Sequence, residues 1–223
     1  MQPTDRPDPP VEKTHHDTSS TRATRLRPGE RRVHILQTLA AMLEAPKSEK
    51  VTTAALAARL GVSEAALYRH FASKAQMFEG LIEFIEQSIF GLINQIVSKE
   101  PNGVLQARAI ALMLLNFAAK NPGMTRVLTG EALVGEHERL AERVNQMLER
   151  VEASLKQCLR LGLMDAHTQA VSAPVPLPGD YDPAIRASLL VSYIIGRWHR
   201  FARSGFARLP AEHAEAQLLL ILQ

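Results

Sequence analysis

Between Thr52 and Lys74 the chain reads TTAALAARLGVSEAALYRHFASK, a stretch that concentrates side chains suited to a nucleic acid. Ala65 and Ala66 let a backbone come close to base edges and can touch a thymine methyl. Arg69 can fork onto a guanine, and Tyr68 can reach a phosphate. Lys74 offers a second phosphate contact. With Thr52, Thr53, Ser63 and His70 these residues make up the set expected at double-stranded DNA. At 100° per residue, Leu67 and Phe71 share one face of a helix, and Ala65 and Arg69 project from the opposite one.

The flanking residues supply the elements that position this face. Thr52 and Thr53 are N-cap residues, and the alanine- and leucine-rich run to Leu60 is a strong helix former. Gly61 stops that helix and gives the turn its backbone freedom. Ser63 caps a second helix, expected to end at Phe71-Ala72, and Glu64 in its first turn suits the positive end of the helix dipole. Ser73 with Gln76 three residues later forms a capping box that opens a third helix. Ala57, four residues before Gly61, is small where the two helices must cross, and Leu56, Leu60, Val62, Leu67 and Phe71 pin the pair. The spacing is that of a helix-turn-helix. An ordinary helical hairpin would not require small groove-facing residues beside an arginine and a tyrosine.

The net charge over 223 residues is only +3, so a nucleic-acid role rests on where charge is placed. Arg22, Arg25, Arg27, Arg31 and Arg32 cluster just ahead of the helix-turn-helix, where basic side chains would meet phosphates. Cys158 is the only cysteine, which excludes disulfides and cysteine-based zinc sites within one chain and agrees with a reducing cytoplasm. There is no N-terminal apolar segment, and apolar runs such as Ile110 to Leu115 are short for a bilayer, so no membrane role is expected.

Residues 1–27, rich in Pro, Thr, Ser, Asp and Arg, are expected to be a disordered tail, with His15-His16 incidental. The remainder predicts an all-α protein, with a helix-turn-helix domain over 28–74 and a helical dimerisation and partner domain over 75–223. A first helix is expected from Gly29 to about Ala45, with Val33, Leu36, Leu39, Ala40 and Leu43 inward. A long helix from Ser73 to Lys99 carries Met77, Leu81, Ile85, Ile89, Ile93 and Ile96 as its stripe. Helices follow over 104–120 and 122–129, the second opened by Asn121-Pro122. One long helix is expected over 131–164, with Leu140, Val144, Met147, Leu148, Val151, Leu155 and Leu159 inward, then an irregular connection over 165–180. The last two helices are expected over 183–203 and 210–222. Their apolar residues occupy more than one side, which suits a four-helix interface with a second copy, and Gly196 would let two helices approach closely.

No catalytic constellation appears. The eight histidines are scattered without metal-ligand spacing, and no Gly-rich phosphate loop or Gly-x-Ser-x-Gly elbow is present. An enzyme, a metal site and a cofactor are not expected.

The segment from Thr52 to Lys74, above all Leu-Tyr-Arg-His-Phe followed by Ser-Lys, resembles the DNA-binding domain of TetR-type regulators. Further stretches, LIEFIE (81–86), NPGMTRVLTGEAL (121–133) and RVNQMLERVEASLKQCLR (143–160), resemble the nucleoid occlusion branch of that family, DNA-bound antagonists of the division protein FtsZ. The resemblance implies a TetR-like fold, a homodimer able to assemble further on DNA, and a cytoplasmic protein associated with the nucleoid. It also implies a groove for the C-terminal tail of FtsZ, lined by Phe84, Met113, Asn116, Lys120 and Asn121. Phe84 lies off the 77–81–85–89 stripe and should be partly exposed. Leu92 stands where the resembled proteins carry arginine, and Asn116 where they carry glycine. The alternative is a repressor whose body hides a small-molecule pocket, the commonest TetR arrangement. Inward stripes of Leu, Ile, Val, Met and Ala with few aromatics and few polar groups are unlike such a pocket.

Overall fold

The computed structural model describes residues 27–45, 51–168 and 180–223, in which every regular element is helical. In chain order these are α1 (Pro28–Met42), α2 (Thr53–Leu60), α3 (Glu64–Tyr68), α4 (Lys74–Lys99), α5 (Gly103–Lys120), α6 (Pro122–Leu128), a 3-10 turn (Glu131–Leu133), α7 (Arg139–Thr168), α8 (Pro183–Arg203) and α9 (Ala214–Leu222). The tail with its histidine pair, Arg22 and Arg25 lie outside the described residues, as does most of the expected connection over 165–180.

The local signals act as their chemistry dictates. Thr52 Oγ1 accepts from Ala55 N at 3.1 Å, Ser63 Oγ from Ala66 N at 3.3 Å, and Ser73 Oγ from Gln76 N at 3.2 Å. Gln76 returns the favour one residue early, accepting from Ala72 N rather than from the Ser73 amide. Gly61 sits at φ +65°, where a side chain would be strained, and Val62 N reaches back to Ala57 O at 3.0 Å to close α2.

The body is built around α5, which contacts α4, α6, α7, α8 and α9. Its 18 residues, with a mean hydropathy of 1.2, are long and apolar enough to cross a membrane, contrary to the sequence expectation. In this fold that apolarity serves the core: Ala107, Ile110, Ala111, Leu114, Leu115 and Ala118 are fully buried among the surrounding helices. Close approach is purchased with glycine at two crossings. A Cβ on Gly103 would lie 2.1 Å from Cys158 O of α7, and one on Gly123 would lie 1.9 Å from Ala40 O of α1. The second crossing joins the N-terminal helices to the body backbone against backbone.

Several expectations need correction. α1 ends at Met42, and Val33 is 38% exposed while Ile35 is buried, because the inward arc centres on 35, 36, 39 and 43 and leaves Val33 at its edge. α3 stops at Tyr68 instead of Phe71. α7 begins at Arg139, eight residues late: Gly130 and Gly135 both have positive φ (76° and 79°) and break the run into a turn and a loop. It then continues to Thr168, past the expected end. α9 begins at Ala214, after His213 adopts a left-handed φ of 59°.

Candidate nucleic-acid interface

The face assembled by α2 and α3 depends on one short relay. Tyr68 Oη donates to Thr53 Oγ1 at 3.5 Å, and the Thr53 hydroxyl donates to Glu64 Oε2 at 2.6 Å. The N-terminus of α2 is thereby held beside α3, which brings Thr52, Thr53 and Tyr68 together. Thr52, Ser63, Ala65, Tyr68 and Arg69 are exposed, and Ala66 and His70 are half-buried. Lys74 belongs to the same neighbourhood, since it lines a shallow depression with Thr52, Thr53 and Phe78. The arrangement can present a hydroxyl, a phenol and cations to a phosphate backbone, with two small side chains and a guanidinium toward base edges.

Two of the cations have partners within the chain. Lys74 Nζ is ion-paired with Glu136, in the loop before α7, and lies 5.7 Å from the centre of the Phe78 ring. Arg32, exposed on α1, lies over the Phe71 ring at 4.1 Å and donates to His70 O at 2.9 Å. Arg27 is exposed and Arg31 half-buried on the first turn of α1.

The head is fastened to the body by groups far apart in sequence. Arg126 of α6, 8% exposed, donates to Leu43 O at 2.9 Å and to Ala45 O, caps the end of α1, and stacks over Phe206 at 4.7 Å. Along α4, Glu79 pairs with Arg139 at 2.7 Å, and the buried Glu86 receives both Arg143 (2.8 Å) and Arg150. No sequence signal marks Arg126 or Glu136. A glutamate inside an apolar stripe, such as Glu86, was the legible hint that opposite charge must come from elsewhere.

On the body, Phe84 of α4 and Met113 of α5 are half-buried, and both pack against the core. Asn116 and Lys120 are exposed on α5, and with Met113 they follow a helical i, i+3, i+7 spacing. Asn121 is partly committed, its Nδ2 donating to Phe117 O at 2.8 Å. On α4 the row Phe84, Ser88, Leu92 opens the same kind of edge, with Leu92 36% exposed.

A second exposed surface lies on the last two helices. Ile185 and Leu189 are 68% and 49% exposed on α8, and Leu219 and Leu220 are 47% and 76% exposed on α9. Gly196 lies on the stripe 185–189–192–196, with open space above it. Ile194, in contrast, is 2% exposed and belongs to the chain's own core. Among the described residues no three His, Cys, Asp or Glu side chains converge as a metal site. Burial pushes the thiol of Cys158 above its ordinary pKa, which leaves it a core residue rather than a nucleophile.

Comparison with known proteins matches residues 48–81 to the family described as bacterial regulatory proteins, tetR family. Residues 102–223 match the SlmA-like tetracyclin repressor-like C-terminal domain. The Nucleoid occlusion factor SlmA of Idiomarina loihiensis is 51% identical over 187 residues, covering 84% of this chain and 91% of that one. That of Shewanella woodyi is 46% identical over 193 residues, covering 86% and 93%. Among solved structures, the transcriptional regulator FadR from Bacillus subtilis in complex with stearoyl-CoA has a TM-score of 0.67 at 12% identity, covering 86% of this chain and 97% of that one. PfmR from Thermus thermophilus has a TM-score of 0.63 at 22% identity, covering 84% and 96%. At such identities these two likenesses speak for the fold alone.

Proposed function

The chain belongs to the SlmA branch of the TetR family, and on that premise we propose that it is a DNA-bound nucleoid occlusion factor that blocks FtsZ assembly over the chromosome. TetR-type regulators are dimeric DNA-binding proteins, and in this reading the α8 and α9 stripes of two copies pair about a two-fold axis. Each copy then offers one α3 face to a half-site of a pseudo-symmetric operator. Ala65, Ala66 and Arg69 read bases, while Thr52, Thr53, Ser63, Tyr68, His70 and Lys74 hold the backbone. The protein is accordingly cytoplasmic and associated with the nucleoid.

The observation supporting a partner surface close to DNA is the course of α4. It starts at the reading face with Lys74 and carries Phe84 ten residues on, about 15 Å along the helix. Phe84 is half-buried there although it is aromatic, and Met113 is half-buried on α5, which packs against α4. An apolar tail peptide of FtsZ would find an aromatic wall in Phe84 and Met113, with polar groups in Asn116, Lys120 and Asn121.

The test is division in cells. Overproduced wild type should block it, and Phe84→Ala and Lys120→Glu should each abolish the block while the protein still occupies DNA. Division arrested equally by all three would remove the α4–α5 edge from the mechanism. A wild type that leaves division untouched but silences one neighbouring gene would point to the ligand-responsive repressor instead.

A further inference from the structure

The ring of Phe71 is held by groups from two other helices. On one side the Arg32 guanidinium lies 4.1 Å from its centre. At the ring edge, Gly80 of α4 leaves room for both groups, because a Cβ there would come within 2.8 Å of the Phe71 ring, 3.4 Å of Leu36 and 3.6 Å of Arg32 Nη2. Arg32 also donates through Nη1 to His70 O at 2.9 Å. Phe71 and His70 are the residues at which the chain leaves α3, a helix of only 5 residues. So short a helix cannot hold its own direction, and its aim is set by what grips its ends. Along its length the grip is the Tyr68–Thr53–Glu64 relay, which holds its first and last residues to Thr53 of α2. At the exit it is this contact of Arg32, Phe71 and Gly80, which ties α3 to α1 and α4 together.

We infer that Arg32 is a positioning residue for base reading: it aims Arg69 by clamping the end of α3, and makes no phosphate contact of its own. The inference rests on the proposal that α3 reads DNA. Its chemistry is specific to arginine. A flat guanidinium can stack on a ring and donate in its plane at once, whereas a lysine ammonium offers a charge without the plane. What sets Arg32 apart from Arg27 and Arg31 is this pair of contacts with Phe71 and His70.

A phosphate contact and a positioning contact differ in salt dependence. Losing a phosphate contact weakens binding to all sequences and lowers the slope of log affinity against log salt by about one. Losing an aim weakens the selected site and leaves random-sequence binding and the slope as they were. The experiment uses the full chain and a duplex enriched by the wild type from a random-sequence pool, with affinities for that duplex and for random duplex measured over a salt series.

Arg32→Ala should lose about tenfold on the enriched duplex, the order expected when a stack and a charge-assisted hydrogen bond go together. Its random-duplex affinity and salt slope should match wild type. Arg32→Lys should fall between, and it carries the test should Arg32→Ala fail to fold by circular dichroism. Gly80→Ala, which crowds the Phe71 ring edge and the Arg32 guanidinium from the α4 side, should reproduce the loss of discrimination without any change of charge. Equal losses on both duplexes with a slope lower by about one would overturn the inference in favour of a phosphate contact. Wild-type discrimination in Arg32→Ala, or in Arg32→Lys where only that folds, would overturn it outright. A wild type that enriches no sequence would defeat the DNA-reading premise itself, an outcome distinct from either.

Discussion

Replacing Leu189 with aspartate should separate the two copies while leaving each chain folded. Leu189 is 49% exposed on α8, so about half of its apolar area is already buried within the chain and about half is left for a partner. Complete burial of a leucine is worth about 1.5–3 kcal/mol, so the partner gains roughly half of that, about 0.7–1.5 kcal/mol per copy. An interface built about a two-fold uses the residue twice, which gives about 1.5–3 kcal/mol per dimer. Truncation to alanine should therefore weaken dimerisation by about 10- to 150-fold. Aspartate adds the cost of desolvating a carboxylate at each copy, several kcal/mol more, and should leave monomers at micromolar concentration. Sedimentation velocity reads the assembly and circular dichroism the fold, while DNA titration should show greatly weakened binding because two linked heads act as one. Ile194 is the control with the opposite expectation: at 2% exposure it is core, so Ile194→Asp should unfold the chain instead of merely dividing the pair. Leu189→Asp that remains dimeric, or wild type that sediments as a folded monomer, would refute the placing of the interface on α8 and α9.

Two further perturbations probe the joint between head and body. Gly123→Ala would force a Cβ to within 1.9 Å of Ala40 O, which no rotamer can relieve; about 2–3 kcal/mol of stability should be lost, seen as a fall in Tm of about 4–12 °C. An unchanged Tm would mean that α1 and α6 part easily. Glu136→Gln should release Lys74 from its ion pair and raise affinity for any duplex severalfold, with a salt slope steeper by about one. Lowered affinity would show that Glu136 orients Lys74 toward DNA and does not compete with phosphate for it.

What could be read from the sequence was local. Caps at Thr52, Ser63 and Ser73 and the left-handed turn at Gly61 are decided within four residues, so the helix-turn-helix was legible before any fold was known. Periodicity also gave the stripes of α4 and α7, since a buried face repeats along one helix. It could not give the pairing of elements distant in the chain. Lys74 is answered by a glutamate 62 residues away and Leu43 O by an arginine 83 residues away, and nothing in either neighbourhood announces the partner. For the same reason Arg32 looked like one more basic residue ahead of the reading helices. Nor could a helix apolar on two sides declare which side faces the chain and which faces outward: Ile194 and Leu189 are side chains of one kind, yet the first is core and the second half exposed. The partner edge was legible only through resemblance, because an aromatic off its stripe, as at Phe84, is equally at home at the rim of a core.

The most direct test of the central claim is a titration of operator-bound protein into a fluorescently labelled C-terminal tail peptide of FtsZ, followed by anisotropy. Wild type should bind to saturation, and Phe84→Ala and Lys120→Glu should bind far more weakly at unchanged helix content and DNA affinity, since neither residue lies on the α2–α3 face. Absence of binding by wild type at high peptide concentration, together with release from DNA by a small molecule, would contradict the account and leave a ligand-gated repressor in its place.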